Sequence, residues 1–366
     1  MKSNYKRLGD FIQPVDVRNI EDKRYDLLGV SVEKRFIPSI ANTVGTDWHS
    51  YKIIKKGQFC YIPDTSRRGE KIGIALLTDK EIGLVSAVYM VFEVVSNQLI
   101  PEYLMLWFKR AEFDRYARYH SHGSVREIFD WEEMCNVELP VPSIEEQKAI
   151  VNAYETIERR IELKRKINDN LEAQAQTIYK KMFVEDIDVS NLQEGWKTVL
   201  LESVAELSAG GDRPTIYSEF PTDTCNVPIF SNGIEDAGLY GFTDKAKIFS
   251  ESVTVSARGT VGYVFLREEP YVPIVRLISV IPNTDYVTAK YLYFALADIE
   301  LQSTGTSQQQ ITVPDFKNRQ ILVPDRRTLD QFTSRIEPIF NAIKENRAEI
   351  KSLVALQSNY LALLSR

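Results

Sequence analysis

Apolar residues recur at alternating spacings of three and four in two long stretches of the chain, and this spacing predicts two amphipathic helices. The seam positions of the first stretch, residues 143–183, are Ile150, Tyr154, Ile157, Ile161, Lys164, Asn168, Leu171, Ala175, Ile178 and Met182. Those of the second, residues 325–366, are Phe332, Ile336, Ile339, Ile343, Asn346, Ile350, Leu353, Gln357, Tyr360 and Leu364. Because both seams are narrow and charged residues surround them, the pattern predicts a coiled coil rather than core helices.

Polar residues interrupt both seams near mid-length, at Lys164 and Asn168 in the first and at Asn346 in the second. If the helices pair antiparallel, these residues meet in one central polar layer, which costs stability and fixes register. The alternative is that each helix packs only on its own globular segment. At a rise of about 1.5 Å per residue, roughly 40 residues give a helix of about 60 Å.

The layout of the first half recurs in the second half at a shift of 182 residues, which brings Gly123 onto Gly305 and Pro142 onto Pro324. The openings of the two halves, at 5–8 and 196–199, are also similar. A repeat of this kind predicts two related globules, at 1–142 and 184–324, each closed by one of the long helices. Within the second segment, residues 184–195 are acidic and polar, which is typical of a linker.

Shorter patterns predict the elements inside the globules, which makes the expected fold class α+β. Apolar runs at 52–54, 58–62 and 87–95 are typical of strands. Residues 101–119 predict one helix that begins at Pro101, and its counterpart after 288 is capped by Thr288. Capping boxes at 143–146 and 328–331 predict where the two long helices begin.

Composition indicates a soluble protein, with 44% apolar and 26% charged residues. No apolar run is long enough for a membrane span, and residues 1–4 do not open a signal sequence. Three scattered cysteines argue against a disulfide framework, so we expect a cytoplasmic location. The net charge of −6 does not favour a nucleic-acid partner, but the distribution of charge decides this rather than its sum.

The residue patterns of common catalytic sites are missing from the sequence. It contains no Gly-rich phosphate loop, no Cys or His cluster at metal-ligand spacing and no Gly-x-Ser-x-Gly motif. His120 and His122 lie beside a glycine, which is more typical of a solvated loop than of a metal site. Glu349 and Lys351 have a nuclease-like spacing but flank a seam position. We therefore expect this chain to carry neither catalysis nor a metal.

Basic, aromatic and amide side chains cluster near the end of the globular helix in each half. The candidate DNA contacts are Arg67, Arg68, Lys71, Arg118, His122, Ser124 and Arg126 in the first half, and Arg213, Arg258, Arg276, Ser307, Gln308, Gln309 and Gln310 in the second. Lys and Arg neutralise phosphates, Arg pairs with guanine and Gln pairs with adenine. Since the shift places Arg126 opposite Gln308, we hypothesise that the two halves read different bases. The alternative is a solvated charged face.

One stretch of sequence carries a family resemblance. A Gly-Ser pair, a turn segment, Pro140-x-Pro142, then Glu146 and Gln147 lead into the long helix, and a weaker copy ends at Asp330 and Gln331. On these motifs the chain resembles, over its full length, a specificity (S) subunit of a type I restriction–modification system. Ser143 replaces the usual second proline, and the second acid–Gln pair lies two residues out of register.

The resemblance implies that 1–142 and 184–324 are target recognition domains, each reading one half of a split double-stranded DNA site. It implies that 143–183 and 325–366 are conserved helices that pair antiparallel, set the spacer and seat two methyltransferase (modification) subunits. S-adenosylmethionine, ATP and Mg would then belong to those subunits and to the restriction/translocase subunits, with no cofactor and no membrane contact on this chain.

Three other interpretations remain open at this point. The chain is an orphan or regulatory DNA-binding protein without methyltransferase or nuclease partners, an enzyme with an unrecognised motif, or a coiled-coil scaffold with no nucleic-acid role. Weak dependence of DNA binding on salt would favour the scaffold, because phosphate contacts make binding steeply salt-dependent.

Overall fold

In the computed structural model, residues 5–39, 47–65, 71–123, 127–259, 261–303 and 311–364 are described, with the backbone alone for 299–303. They form two compact units. Unit 1 comprises Met1–Arg165 and Arg347–Arg366, and unit 2 comprises Lys166–Asn346. Helix and strand are mixed in both units, so the predicted α+β class is confirmed.

Unit 1 contains short strands, three short helices and the first part of a long one. Its strands are β1 Tyr5–Arg7, β2 Ile12–Val15, β3 Leu28–Val30, β4 Phe36–Pro38, β5 Lys52–Lys55, β6 Gln58–Tyr61, β7 Ile74–Leu76, β8 Ile82–Val85, β9 Met90–Val94 and β10 Glu138–Pro140. Its helices are α1 Pro101–Phe108, α2 Ala111–Tyr119, α3 Trp131–Asn136 and the first part of α4 Ile144–Phe183.

Unit 2 begins within α4 and ends within a second long helix. Its strands are β11 Lys197–Leu200, β12 Ala205–Ala209, β13 Val227–Phe230, β14 Leu239–Thr243, β15 Ser252–Val255, β16 Val264–Arg267, β17 Val272–Pro273, β18 Ile278–Pro282 and β19 Gln320–Val323. Its helices are α5 Ala289–Ser303, α6 Val313–Lys317 and most of α7 Arg326–Leu363, whose last part belongs to unit 1.

Each unit contains a four-stranded antiparallel sheet with the same strand order. The order is β2-β9-β6-β7 in unit 1 and β12-β18-β15-β16 in unit 2. The registers correspond as well, because Phe59 faces Phe92 in the first sheet and Val253 faces Val280 in the second. The predicted repeat is therefore confirmed in strand order and register. The inserts differ: unit 1 adds the pairs β3-β4 and β5-β8, whereas unit 2 adds the sheet β14-β13-β17.

The first and last strands of each globule pair with one another. β1 is antiparallel to β10, with Tyr5 opposite Pro140, and β11 is antiparallel to β19, with Lys197 opposite Val323. Each of these two-stranded ribbons stands directly before a long helix. The similar openings of the two halves thus have the same structural role.

Aromatic side chains fill the centre of both units. In unit 2, Phe332 from α7 is fully buried and lies 5.1 to 6.2 Å, between ring centroids, from the rings of Tyr179, Phe183, Tyr291 and Phe294. In unit 1, Phe59 and Phe92 stack at 4.8 Å. Such ring pairs contribute about 0.5–1.5 kcal/mol each beyond the apolar area that they bury.

The twenty predicted seam positions of α4 and α7 are all buried or half-buried, which confirms the predicted period. The helices run antiparallel, because Arg160 and Lys164 reach Glu349 in unit 1, while Asn168 meets Asn346 in unit 2. The helices also enter the globular cores, for example through Tyr154 in unit 1.

The predicted polar layer is present. Asn346 Nδ2 donates to Asn168 Oδ1 at 2.8 Å, and both side chains are buried. Lys164, the third predicted member of the layer, lies with its Nζ 2.8 Å from Glu349 Oε2. By the shift of 182, Asn346 corresponds to Lys164, so the two copies of one seam position carry different polar side chains.

The starts of the long helices differ from each other. The capping box at Ser143 is confirmed, since Ser143 N donates to Glu146 Oε2 at 3.0 Å and Glu146 N donates to Ser143 Oγ at 3.3 Å. The box predicted at Thr328 is wrong: α7 begins three residues earlier, and Thr328 N donates to Asp325 Oδ1 at 3.0 Å. An aspartate before Arg326 accepts these hydrogen bonds as well as a threonine does, and Trp196 Nε1 adds a third at 2.8 Å.

The single helix predicted over 101–119 is also wrong, because the chain leaves the helical conformation at Arg110, whose ψ is 141°. The Arg110 guanidinium lies 4.0 Å from the centroid of the Trp107 ring, and the residue is 4% exposed. Because this side chain is buried, the segment forms two helices, α1 and α2, rather than one. By contrast, Tyr291 N donates to Thr288 Oγ1 at 3.2 Å, which confirms the predicted cap of α5.

Candidate nucleic-acid interface

In unit 1, the turn after β6 and the segment after α2 are joined by backbone hydrogen bonds. Phe129 N donates to Pro63 O at 2.9 Å, and Thr65 N donates to Glu127 O at 2.9 Å. The Thr65 hydroxyl lies 2.9 Å from Ser121 Oγ. These contacts hold together the flanks of the two segments in which the sequence predicts DNA contacts.

The exposed side chains predicted on this side are Lys71, Arg118 and His122. His122 pairs by its backbone with Ile128 in both directions at 3.0 Å, and its ring Nε2 lies 3.6 Å from Glu133 Oε1. His120 approaches the other oxygen of Glu133 at 3.2 Å. The backbones of His122 and Ile128 are therefore paired, and both histidine rings approach Glu133.

A buried ion pair positions Ile72, the residue that follows Lys71. Asp114 Oδ1 accepts from Ile72 N at 3.1 Å and lies 2.8 Å from Lys34 Nζ. Burial lowers the pKa of Lys34, and the neighbouring Asp114 carboxylate opposes that shift. Lys34 Nζ also donates to Phe108 O, so the ion pair links Ile72 to the end of α1.

Unit 2 repeats the first of these backbone bonds. Ile311 N donates to Ala257 O at 3.0 Å, and by the shift of 182 Ile311 corresponds to Phe129. Both residues are buried. The turns that follow β6 in unit 1 and β15 in unit 2 are thus anchored in the same way. In unit 2, the anchored residue Ala257 lies next to Arg258.

Three predicted arginines of unit 2, namely Arg213, Arg258 and Arg276, are exposed and lie on turns that contact each other. Asn232 Oδ1 accepts from Ala257 N at 2.8 Å, and its Nδ2 donates to Val275 O at 2.7 Å. Arg276 N donates to Gly210 O at 2.9 Å, two residues before the turn that carries Asp212 and Arg213. The Arg213 guanidinium lies 4.7 Å from the centroid of the Tyr217 ring. The structure therefore brings these three turns together.

The remaining candidates lie outside the residues that the structure describes. They are Arg67, Arg68, Ser124, Arg126, Ser307, Gln308, Gln309 and Gln310. The hypothesis that Arg126 and Gln308 read different bases stays a prediction.

Two further basic residues near the end of α1, Lys109 and Arg110, make other contacts. Arg110 is buried against Trp107, and Lys109 Nζ lies 3.2 Å from Glu158 Oε1 and over the Tyr154 ring. Sequence reasoning also missed Asn232, which precedes a glycine. An Asn-Gly dipeptide is a turn signal that could have identified it.

Within the described ranges, no helix is long and apolar enough to cross a membrane. In the same part of the chain, no three His, Cys, Asp or Glu side chains stand where they could share a metal ion.

A family model described as type I restriction modification DNA specificity domain matches two segments of the chain, residues 14–173 and 193–352. Together the two matches cover most of the sequence, one in each half. The repeat recognised from the long helices is therefore also a repeat of one family domain.

Among curated relatives, a putative type I specificity subunit of Mycoplasma pneumoniae is 27% identical over 176 residues, 48% of this chain and 52% of the relative. A second from that organism is 29% identical over 40% of each chain. The HindI specificity subunit of Haemophilus influenzae is 21% identical over 89% of each chain. The chain thus spans about half or less of the length of the two Mycoplasma relatives.

Two solved structures share the fold. The crystal structure of a type I restriction–modification S subunit from M. genitalium gives a TM-score of 0.59 at 13% identity, covering 99% of this chain and 96% of that one. A chain from a study of complex assembly and conformational transition in a type I system gives 0.51 at 19% identity, covering 99% and 97%. At these identities the likeness concerns the fold.

Proposed function

Because the chain belongs to the family of type I restriction modification DNA specificity domains, we propose that it is the DNA specificity subunit of a type I restriction–modification complex. In this proposal, residues 1–142 and 184–324 are target recognition domains, and each reads one half of a bipartite double-stranded DNA site. The helical segments 143–183 and 325–366 set the spacer between the half-sites and dock methyltransferase subunits.

The observation that carries the proposal is a recognition frame present twice in one chain. Two sheets of the same strand order anchor the turn after their third strand by the same backbone bond, from Phe129 to Pro63 and from Ile311 to Ala257. Exposed arginines lie beside the second anchor, and arginine is the commonest reader of guanine in the major groove. Two related frames with different inserts suit two half-sites of different sequence.

The proposed partners follow from the same near-symmetry. Two similar helical segments suit two copies of one methyltransferase subunit, since a repeated surface binds a repeated partner. Catalysis, with S-adenosylmethionine, and ATP-dependent restriction with Mg belong to the partner subunits in this proposal. The complex acts on DNA in the cytoplasm.

The decisive experiment identifies the methylated DNA. We expect that the full chain, co-expressed with methyltransferase subunits, directs methylation to a bipartite motif with two fixed half-sites and a fixed spacer, detected by sequencing of modified bases. A contiguous motif, or the same methylation without this chain, would contradict the proposal. Co-purification tests the orphan alternative, because an orphan binder brings no methyltransferase with it.

Salt dependence tests the DNA contacts themselves. We expect the logarithm of the binding constant to fall as the logarithm of salt concentration rises, with a slope of about −0.9 per neutralised phosphate.

Substitutions test individual arginines. Arg258→Ala and Arg276→Ala should weaken DNA binding or relax the sequence preference at the second half-site. Arg24→Ala, an exposed arginine outside the candidate set, is the control and should leave binding unchanged. Equal effects of all three changes would remove the assignment.

The spacer role has its own test. One heptad inserted at matched positions of α4 and α7 adds about 10 Å of helix, which corresponds to about three base pairs of DNA. The methylated motif should keep both half-sites and gain a longer spacer. An unchanged spacer would mean that the helices do not set it.

A further inference from the structure

Asn232 joins two turns of unit 2 that carry candidate DNA contacts. It follows β13 and is half-buried. Its Nδ2 donates to Val275 O at 2.7 Å, next to Arg276, and its Oδ1 accepts from Ala257 N at 2.8 Å, next to Arg258. A single side chain therefore fixes the distance between the backbones of two reading turns.

The turn at Val275 and Arg276 is held in an uncommon conformation. Both residues have positive φ, 53° and 60°, a region that β-branched residues such as valine rarely adopt. Val275 is 52% exposed, so packing of its side chain in the core does not account for this backbone. Strain of this kind persists only where surrounding contacts impose it, and it concentrates at binding and catalytic sites.

The surrounding contacts come from two sides. Val275 N donates to Gly211 O at 2.8 Å and Arg276 N donates to Gly210 O at 2.9 Å, while Asn232 holds the Val275 carbonyl. A Cβ at Gly210 would lie 2.7 Å from Ile274 N, so this close approach requires glycine. The turn is thus held by backbone groups on one side and by the Asn232 amide on the other.

Ala257 is held just as firmly. Its N–H donates to Asn232, and its carbonyl accepts from Ile311. The residue before Arg258 therefore has both of its backbone hydrogen-bonding groups paired. Gly259, the residue after Arg258, has a φ of 71°. Asn232 contributes to the position of both arginines without being an exposed basic residue itself.

We propose that Asn232 is the positioning residue for DNA recognition by the second half, because it fixes the Arg258 and Arg276 turns in one arrangement before DNA binds. The inference rests on the proposed function. Ordering a flexible turn upon binding costs affinity, and a turn that is already ordered avoids that cost. Asn232 acts through the two arginines and the turns that present them.

The test uses the full chain in complex with its methyltransferase subunits and duplexes that carry the bipartite site. For each protein, affinity is compared between the intact duplex and duplexes in which only the first or only the second half-site is scrambled. Asn232→Ala should lower discrimination at the second half-site at least about fivefold, the lower end of what a good Arg–base pair provides, and leave the first half-site unchanged. Asn318→Ala, which removes a side-chain bond to Pro314 O in the same unit, is the matched control.

Two further variants separate positioning from folding. Asn232→Asp keeps the acceptor for Ala257 N but cannot donate to Val275 O, so it should uncouple the Arg276 turn and leave the Arg258 turn in place. Accordingly, Arg276→Ala should cost much less in the Asn232→Asp background than in the original chain, whereas Arg258→Ala should cost the same in both. Thermal unfolding of each variant shows whether unit 2 is intact.

The outcomes are distinct. If the original chain discriminates neither half-site, the proposed function fails. If it discriminates both and the Asn232 variants do too, or if the Arg276→Ala and Asn232→Asp effects simply add, the positioning role is wrong. Loss at both half-sites in a folded Asn232→Ala protein would also overturn it. If Asn232→Ala does not fold, the Asn232→Asp comparison decides by the same criteria.

Discussion

The two halves of this chain share one frame but support it by different means. Each has a four-stranded sheet of the same order, a ribbon of its first and last strands, and the same anchoring bond before the last short helix. Yet the helix start in the first half is held by Gln147, whereas the corresponding position in the second half is Leu329. A duplicated fold therefore keeps backbone connections more faithfully than side-chain chemistry.

Gln147 and its counterpart Leu329 show how different the side-chain contacts at the two helix starts are. Its side chain is fully buried, accepts from Ile100 N at 2.8 Å, and donates to Gln98 O and Pro142 O at 2.8 and 2.9 Å. Leu329 is equally buried but belongs to the apolar core of unit 2. In the second copy, the acid–Gln pair lies two residues out of register, and its glutamine, Gln331, is exposed rather than buried. The two helix starts thus make different contacts.

The largest expected difference between the halves is in the sheets. Phe92→Ala should lower the free energy of unfolding by about 3–5 kcal/mol, because it removes a buried ring from a stack. Val280→Ala, at the equivalent register position, should cost about 1.5 kcal/mol, the value of two buried methylene-sized groups. Urea unfolding of the full chain measures both. Equal losses would mean that the first sheet gains nothing from its aromatic stack.

The helix starts come next. Gln147→Leu should cost about 3 kcal/mol, since it removes three hydrogen bonds between a buried side chain and the backbone of Ile100, Gln98 and Pro142. Gln331→Leu, on the exposed surface of α7, is the matched control and should stay within about 0.5 kcal/mol. Thermal unfolding compares the two. If Gln147→Leu leaves the unfolding temperature unchanged, the start of α4 tolerates an apolar residue at this position, as the start of α7 does with Leu329.

The central amides test whether the seams are interchangeable. Asn346→Leu should cost about 2 kcal/mol, because it leaves the buried Asn168 amide without its partner. The double change to leucine at both positions should recover most of that loss, since replacing both partners of a buried pair by apolar groups is often nearly neutral. Unfolding of the single and double variants gives the coupling free energy. A double variant as unstable as the single one would contradict a direct amide–amide interaction.

The helix caps should show the smallest effect and a pH dependence. Hydrogen bonds from Thr328 hold the pKa of the Asp325 carboxyl below its ordinary value. The stabilisation by this carboxylate is therefore fully present above the unfolded-state pKa of about 3.9 and is lost as pH falls through the lower folded-state pKa.

Asp325→Ala should cost about 1 kcal/mol at neutral pH, as should Ser143→Ala at the other helix start. Asp325→Asn keeps an acceptor for the cap but cannot titrate, so it serves as the control for the pH dependence. Unfolding at several pH values compares these proteins. A wild-type stability that falls with acid no faster than that of Asp325→Asn would show that the cap does not depend on the charge.

The parts of the fold that depend on local pattern could be predicted from the sequence. The seams follow from apolar residues spaced three and four apart, and the Ser143 capping box needs only four residues. Both are local patterns, and the structure confirms both predictions. The break at Arg110 could not be predicted in this way, because burial against Trp107 depends on tertiary packing. The order β14-β13-β17 pairs β13 in parallel with a strand some 40 residues away, which no local pattern specifies.

The candidate site divides in the same way. Exposure of Arg213, Arg258 and Arg276 follows from charge and turn residues, and the structure agrees with it. That these turns contact each other depends on the side chain of Asn232 and the close approach at Gly210, and both are long-range contacts. Sequence patterns selected the arginines as candidates but did not point to Asn232, whose side chain joins the turns of Arg258 and Arg276.

The paired first and last strands bear on how such a protein can change its target. Since β11 and β19 pair side by side, the chain enters and leaves the second globule through one two-stranded ribbon. The core of this globule also packs against α4 and α7. A recombination event with both crossovers inside such ribbon sequences would exchange the whole segment between the two strands and leave the long helices intact.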